Sequence, residues 1–286
     1  MRRALLAPVL IVALLIPAAP ASADVIAEFA LGILTVRGDA ANDTIAIECV
    51  NGNVRINDAP PSTGRARCER IRSILVRAGG GADRVDLSAV RRPAFDILLE
   101  VGVFGEGGDD LVMGSALADR LHGGPGADTL RGGGGDDTLT PGPGGGAVAG
   151  GPGRDRVQVT GGGSWVILDR RIVDRGRDED TTLKGVERLT FRGGSGDDEV
   201  DAIAFSGRLF LDGGPGADAL QGGSGRDLIR GKGGADLLNG GPGPDLVEGG
   251  PGEDELHGGP GDDQLRGGPG DDRCVGGPGA DSLVSC

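Results

Sequence analysis

Tyrosine is absent from this chain, tryptophan occurs once, as Trp165, and only 2% of the 286 residues are aromatic. A conventional globular core leans on bulky rings, so another means of support must be sought. Histidine is nearly absent too. His122 and His257 are the only two, and neither lies in an H-E-x-x-H pattern, which removes the usual zinc-protease helix. Lys232 is followed by Gly233, so no G-K-[ST] phosphate loop exists, and no C-x-x-C suggests zinc or redox chemistry. After residue 23 no apolar segment suited to membrane insertion occurs.

What is abundant is glycine, at 59 positions, and acid, with 43 Asp and Glu against 29 Lys and Arg. The formal net charge is −14. Such an acid excess repels nucleic acid and anionic lipid and attracts cations. Simple solubility is the bland reading, so the placement of the acids must decide.

The first residues read as an export signal. Arg2 and Arg3 precede an apolar stretch from Leu5 to Ile16, Pro17 and Pro20 break it, and Ala21-Ser22-Ala23 offers small residues for cleavage. The expectation is a cleaved signal at 1–23 and a secreted, extracellular protein; an uncleaved anchor is the alternative. No lipobox cysteine follows the apolar run. Cleavage would remove two arginines and no acid, taking the charge from −14 to −16.

From residue 213 the chain aligns in nines: GGPGADALQ, GGSGRDLIR, GKGGADLLN, GGPGPDLVE, GGPGEDELH, GGPGDDQLR, GGPGDDRCV and GGPGADSLV, ending at 284. All eight units have Gly at positions 1 and 4, Asp at position 6 and Leu, Ile, Val or Cys at position 8. Collagen needs glycine at every third residue, and a flexible linker would not hold an apolar residue at one phase. An earlier array reads FGEGGDDLV (104–112), a ten-residue unit ending ADRLH, GGPGADTLR, GGGGDDTLT, PGPGGGAVA with Gly146 in the aspartate place, and GGPGRDRVQ with Asp155. Isolated units at 78–86 and 193–201 carry Asp83 and Asp198, and a weak first unit from Gly38 to Ile45 carries Asp43.

Positions 7 to 9 suit a short strand whose central residue points inward, because side chains alternate along a strand. Leu220, Ile229, Leu238, Val247, Leu256, Leu265 and Leu283 would then form a thin core. Positions 1 to 6 suit a tight turn, in which glycine allows positive φ and lets carbonyl oxygens crowd together. A hard cation such as calcium takes six to eight oxygens, more than one turn offers. With two units per coil, a turn stacks on the turn 18 residues later, pairing Asp218 with Asp236, Asp227 with Asp245, Asp236 with Asp254, Asp245 with Asp263, Asp254 with Asp272 and Asp263 with Asp281. Asp119 with Asp137 and Asp137 with Asp155 fit the same step, Asp109 with Asp128 is one residue off, and Asp128 would face Gly146. The expected metal ligands are therefore Asp109, Asp119, Asp128, Asp137, Asp155, Asp198, Asp218, Asp227, Asp236, Asp245, Asp254, Asp263, Asp272 and Asp281.

These units resemble the repeats-in-toxin, or haemolysin-type, calcium-binding nonapeptide repeats. The resemblance spans about residues 78–158 and 193–284. It implies an all-β chain, a right-handed parallel β-roll with Ca2+ between successive turns. It does not imply toxicity, since such repeats accompany many activities and none. Members exported by the type I route usually lack a cleaved N-terminal signal, so the general secretory route is expected here.

Residues 24–77, with apolar runs such as Ile33-Leu34-Thr35-Val36, read as an N-terminal β cap or degenerate roll, and 159–192 as a strand-rich segment between the array at 78–158 and that at 193–286. The carboxylates of Asp174 to Asp180 cluster without a nucleophile frame and read as a solvated loop. An even cysteine count favours disulfides in an exported protein, and proximity favours Cys49–Cys68 and Cys274–Cys286, with a buried free thiol at Cys274 as the alternative. Both histidines take position 9 and are expected on the roll surface. The expected function is a non-enzymatic calcium-binding protein with calcium as partner, no nucleic acid and no membrane insertion, in a surface, matrix or adhesive role. The alternatives are a secreted hydrolase, or a toxin-like effector, whose active part lies in 24–77 or 159–192.

Overall fold

The computed structural model describes residues 25–161, 163–168, 170–177 and 179–286; the expected signal at 1–23 lies outside the described residues. Among the described residues there is no α-helix, one three-residue 3-10 turn at Cys68–Arg70, and 27 strands in two sheets of 13 and 14. No helix there is long and apolar enough to cross a membrane.

Outside the two N-terminal hairpins and one meander, consecutive strands alternate between the sheets, so each coil contributes one strand to each. In the second array the step is regular. Leu228, Ile229 and Arg230 pair in parallel with Leu246, Val247 and Glu248, and these with Gln264, Leu265 and Arg266. The other sheet repeats the step through Leu220, Leu238, Leu256 and Cys274. Position 8 forms the core, as its phase predicts. Leu220, Ile229, Leu238, Val247, Leu256 and Leu265 are all buried. Leu283 is not: it pairs with Leu265 on one side only and is 50% exposed.

Each conserved glycine of the unit has its own physical reason. A Cβ on Gly250, at position 2, would overlap the carbonyl of Lys232 in the preceding coil, and one on Gly252, at position 4, would overlap that of Gly234. Both also hold positive φ, at +117° and +158°. At position 1 the φ is ordinary, but a Cβ on Gly240 would lie 2.6 Å from Asp245 Oδ2 and 2.6 Å from Gly258 O. The turn therefore packs backbone on backbone, and position 2 is its less strict place, since Glu106 and Lys232 hold it at φ +79° and +89°.

The N-terminal segment caps the roll. Ile26–Ala30 pairs antiparallel with Ile33–Arg37, and Thr44–Val50 with Asn53–Ile56, while the inner strand of each hairpin joins a parallel sheet. Here the core is conventional, with Ile45, Ile47, Ile71 and Phe95 fully buried. The Cys49–Cys68 bond ties the second hairpin to the following loop, and Cys274–Cys286 folds the tail back onto the open end, where Cys274 is partly buried. The alternative of a free thiol at Cys274 is overturned by that bond.

The segment between the arrays is an insertion in one sheet. Ser164–Leu168, Arg171–Asp174 and Glu179–Lys184 form an antiparallel meander whose outer strands pair in parallel with Glu199–Ala204 and Gly146–Ala149. On the other sheet Arg156–Thr160 passes directly to Arg188–Arg192. Asp174 lies in this meander, buried rather than in a solvated loop, with its carboxylate accepting the NH groups of Gly176 and Arg177.

Gly250→Ala should disrupt the second array, because positive φ costs an alanine about 1–3 kcal/mol before its overlap with Lys232 O is counted. Pro251→Ala, at the free position 3, should be tolerated. Thermal unfolding followed by circular dichroism in excess calcium checks both, and equal midpoints for the two variants would contradict the stacking argument.

Candidate metal centre

The position-6 aspartates lie in files along the turns, one file preceding each sheet. Each uses one carboxylate oxygen to accept the backbone NH of its counterpart one coil earlier. Asp236 Oδ1 accepts from Asp218 NH at 2.8 Å, Asp254 from Asp236 at 2.9 Å and Asp272 from Asp254 at 3.0 Å. In the other file Asp245 accepts from Asp227 at 2.7 Å, Asp263 from Asp245 at 2.8 Å and Asp281 from Asp263 at 3.1 Å. All six expected pairs of the second array are thus brought together at the 18-residue step, as are Asp119 with Asp137 and Asp137 with Asp155. Asp198 joins through Asp218, at a step of 20.

The second oxygen has no donor. Among the described residues, one carboxylate oxygen is buried and without a hydrogen-bond partner on each of Asp43, Asp83, Asp110, Asp128, Asp137, Asp155, Asp198, Asp218, Asp236, Asp245, Asp254, Asp263 and Asp272. A buried carboxylate oxygen left unpaired is costly. At Asp245 the orphan Oδ2 and the carbonyl of Gly258, from the next coil, both lie 2.6 Å from the point that a Cβ on Gly240 would occupy. The turns at Gly123, Gly132, Gly249 and Gly258 likewise set an orphan carboxylate oxygen and a carbonyl of the next coil around one spot. That donor set, charged carboxylate plus backbone carbonyl, is the chemistry of a hard cation such as calcium. No group of three or more His, Cys, Asp or Glu side chains suited to a metal occurs among the described residues, so a cation here must draw on backbone carbonyls. The residues fit calcium: the orphan oxygens and the position-1 carbonyls of the following coil would hold it.

Three features depart from the sequence reading. Asp109 is not the stacked residue. Asp110 is buried, donates its NH to Asp128 Oδ1 at 2.9 Å and accepts from Asp83 NH at 2.9 Å, whereas exposed Asp109 accepts from Ala127 NH. The unit is therefore GEGGDDLVM, 105–113, with Val112 inward, and the apparent ten-residue unit becomes the nine residues 114–122. An Asp-Asp pair next to a string of glycines allowed both frames, and the inward Val112 distinguishes them. Second, Asp119 and Asp227 start their files and have donors for both oxygens: Ser115 NH and Oγ at Asp119, Leu209 NH and Gly223 NH at Asp227. Third, Glu187 continues a file where no aspartate repeat is visible, its Oε2 accepting from Asp155 NH at 2.9 Å. Asp43 and Asp83, in the units that read as weak or isolated, stack on each other at 2.7 Å across 40 residues. Asp128 faces Gly146, as its spacing implies.

Neither histidine lies in a file. His122 stacks on Phe104 with ring centroids 4.7 Å apart, and His257 contacts Glu255 at 3.0 Å.

The files belong to a parallel β-roll of stacked, oxygen-lined turns. The RTX calcium-binding nonapeptide repeat family matches residues 113–146, 212–247 and 248–283, so the chain carries RTX calcium-binding repeats. No curated protein matches the chain.

Burial pushes the carboxylates up: Asp137 to about 8, Asp119, Asp128 and Asp245 to about 7, and Asp110 and Asp236 to about 6. Their backbone hydrogen bonds oppose this, and at all but Asp119 neighbouring aspartates add to it, Asp119 and Asp155 at Asp137 for example. A folded pKa above the unfolded value of about 3.9 means that the metal-free roll holds protons the unfolded chain has lost. Its stability is then fully present below about pH 4 and lost as pH rises through 6–8. Metal-free protein should therefore gain β-structure on acidification, and the calcium midpoint should rise as pH falls from 8 to 5. Circular dichroism across that range checks both, and a midpoint independent of pH would be the contrary result.

Proposed function

We propose that this chain is a secreted, non-enzymatic calcium-binding protein whose arrays fold on binding calcium. The observation that carries the reading is the series of buried, donor-less aspartate oxygens in register along the turns. Without metal these charges repel, and a core one position-8 residue wide offers little burial against them. Calcium neutralises them and ties the coils together, so binding and folding are one event. The ligands are Asp110, Asp128, Asp137, Asp155, Asp198, Asp218, Asp236, Asp245, Asp254, Asp263 and Asp272, with Asp281 at the open end. Secretion is supported by the signal-like residues 1–23 and by two disulfides, which persist in oxidising compartments. A surface or matrix role fits a roll of coils stacked in one direction.

A calcium titration of the full chain, with reversal by EGTA, tests this. The β-signal of the arrays should rise cooperatively at roughly 10⁻⁴–10⁻³ M, the range of extracellular modules, and magnesium should substitute poorly. Asp245→Ala should shift the midpoint further than Asp281→Ala, because Asp245 is bonded to coils on both sides and Asp281 to one. An unchanged signal in EGTA, with no heat of calcium binding, would overturn the reading.

A further inference from the structure

Between the two arrays, three arginines stand in one row on the outer face of the 13-stranded sheet. Arg156 is level with Arg188, and Arg188 with Arg208. Arg192 projects from the same strand and face as Arg188, since side chains alternate. With Gln158, Thr190 and Phe210 they line a groove of about 370 Å³.

Elsewhere on the roll, several outward arginines are paired with acids of a neighbouring coil, while exposed Arg131 and Arg226 stand singly without an ion pair among the described residues. Arg230 and Arg266 reach Glu248 at 2.7 and 3.0 Å, Arg273 reaches Glu255 at 2.8 Å, and Arg154 reaches Asp136 at 2.9 Å. The four groove arginines make no ion pair among the described residues, and the acids around them are engaged elsewhere. Asp212, level with Arg192, is held by Lys232 at 3.9 Å. Asp136, which feels Arg188, is bound by Arg154. Asp227, which feels Arg208, accepts NH groups of Leu209 and Gly223, and Glu187 accepts that of Asp155. Four arginines without an ion pair are thus gathered in one block within a chain of charge −14.

We propose that this groove binds a polyanionic glycan, an extended sugar chain bearing carboxylate or sulfate groups. Adjacent strands lie about 4.8 Å apart, so the row offers one guanidinium for roughly each sugar ring of a chain laid across the strands. Guanidinium forks grip carboxylates and related oxyanions through paired hydrogen bonds. Gln158, between the arginines, suits a sugar hydroxyl, with buried Thr190 beneath it, and the partly exposed ring of Phe210 carries the Arg230 guanidinium over its face at 5.5 Å, at the edge of the groove. A nucleic acid, with its denser charge, would be repelled by the surrounding acids. The inference is independent of where calcium binds.

The test is calorimetry on the full chain in excess calcium, with a defined oligouronate, a sulfated oligosaccharide, a neutral oligosaccharide of equal length and inorganic sulfate. At least one acidic oligosaccharide should bind, and the neutral one and free sulfate should not. Arg188→Gln should weaken binding at least about tenfold, and Arg188→Lys should lose part of the affinity because the fork is gone. Calcium-induced circular dichroism of each variant should match the parent, which separates a lost site from a lost fold. The proposal is overturned if neither acidic glycan binds, if free sulfate binds as tightly as the oligomers, or if a triple Arg156→Gln, Arg188→Gln, Arg208→Gln variant with intact dichroism binds unchanged, since the glycan would then be bridging through calcium.

Discussion

Each aspartate in the files does two things with one carboxylate. One oxygen accepts the backbone NH of the aspartate a coil earlier, at 2.7 to 3.1 Å through the second array, and so sets the register. The other is turned into the turn, where its own position-1 glycine leaves space and the glycine carbonyl of the next coil approaches. The first contact needs the coils to be stacked; the second makes stacking costly unless a cation fills the spot. In the second array glycine at positions 1 and 4, and at position 2 apart from Lys232, follows from this one arrangement, since a Cβ there would overlap either the carboxylate or a carbonyl of an adjacent coil. Position 8 then needs only to fill a narrow line between the sheets, which Val, Leu and Ile do.

The files are not continuous, and the places where they stop are those with conventional cores. On one side the run Asp43, Asp83, Asp110, Asp128 ends opposite Gly146, and a second run starts at Asp198. On the other side Asp119, Asp137, Asp155 ends at Glu187, and a new run starts at Asp227. In the gap the core widens to Trp165, Phe191 and Phe205, with the Trp165 and Phe191 rings packed edge to face at 5.7 Å. At Asp119 and Asp227 the file begins where the previous strand carried an apolar residue, Val101 and Leu209. Ser115 of its own turn partners both oxygens of Asp119, and Leu209 NH of the preceding coil together with Gly223 NH partners those of Asp227, so the first aspartate of each of these runs is fully partnered.

Much of this was legible in the sequence, because a nine-residue period with aspartate and an apolar residue at fixed phases admits few structures. The coil step, the stacked pairs of the second array and the meeting of Asp128 with Gly146 follow from spacing, and proximity in the chain favours both disulfides. What was not legible lay where the period breaks. Asp109 and Asp110 are adjacent and chemically identical, and only the inward position of Val112 identifies Asp110 as the stacked residue. Glu187 does the work of an aspartate without any glycine unit around it, so composition gives no cue. The antiparallel meander reads locally as strands, but its place in one sheet only depends on pairing partners far apart in the chain, Gly146 with Thr181 and Ser164 with Glu199.

The same breaks explain how a chain so poor in aromatic residues can be stable at all. A row of aspartate turns cannot nucleate itself, since each turn presents charge to the next before a cation arrives. It needs an existing edge to stack on. The cap provides one for the first array, with Ile45, Ile47, Ile71 and Phe95 buried and a disulfide closing the second hairpin. The widened core around Trp165 and Phe191 provides one for the second array, because Arg188–Arg192 and Arg208–Pro215 pair over five residues where repeat strands pair over three. Each array thus starts from a segment held by ordinary apolar burial, and the separation of the two arrays places the second such segment next to the repeats that follow it.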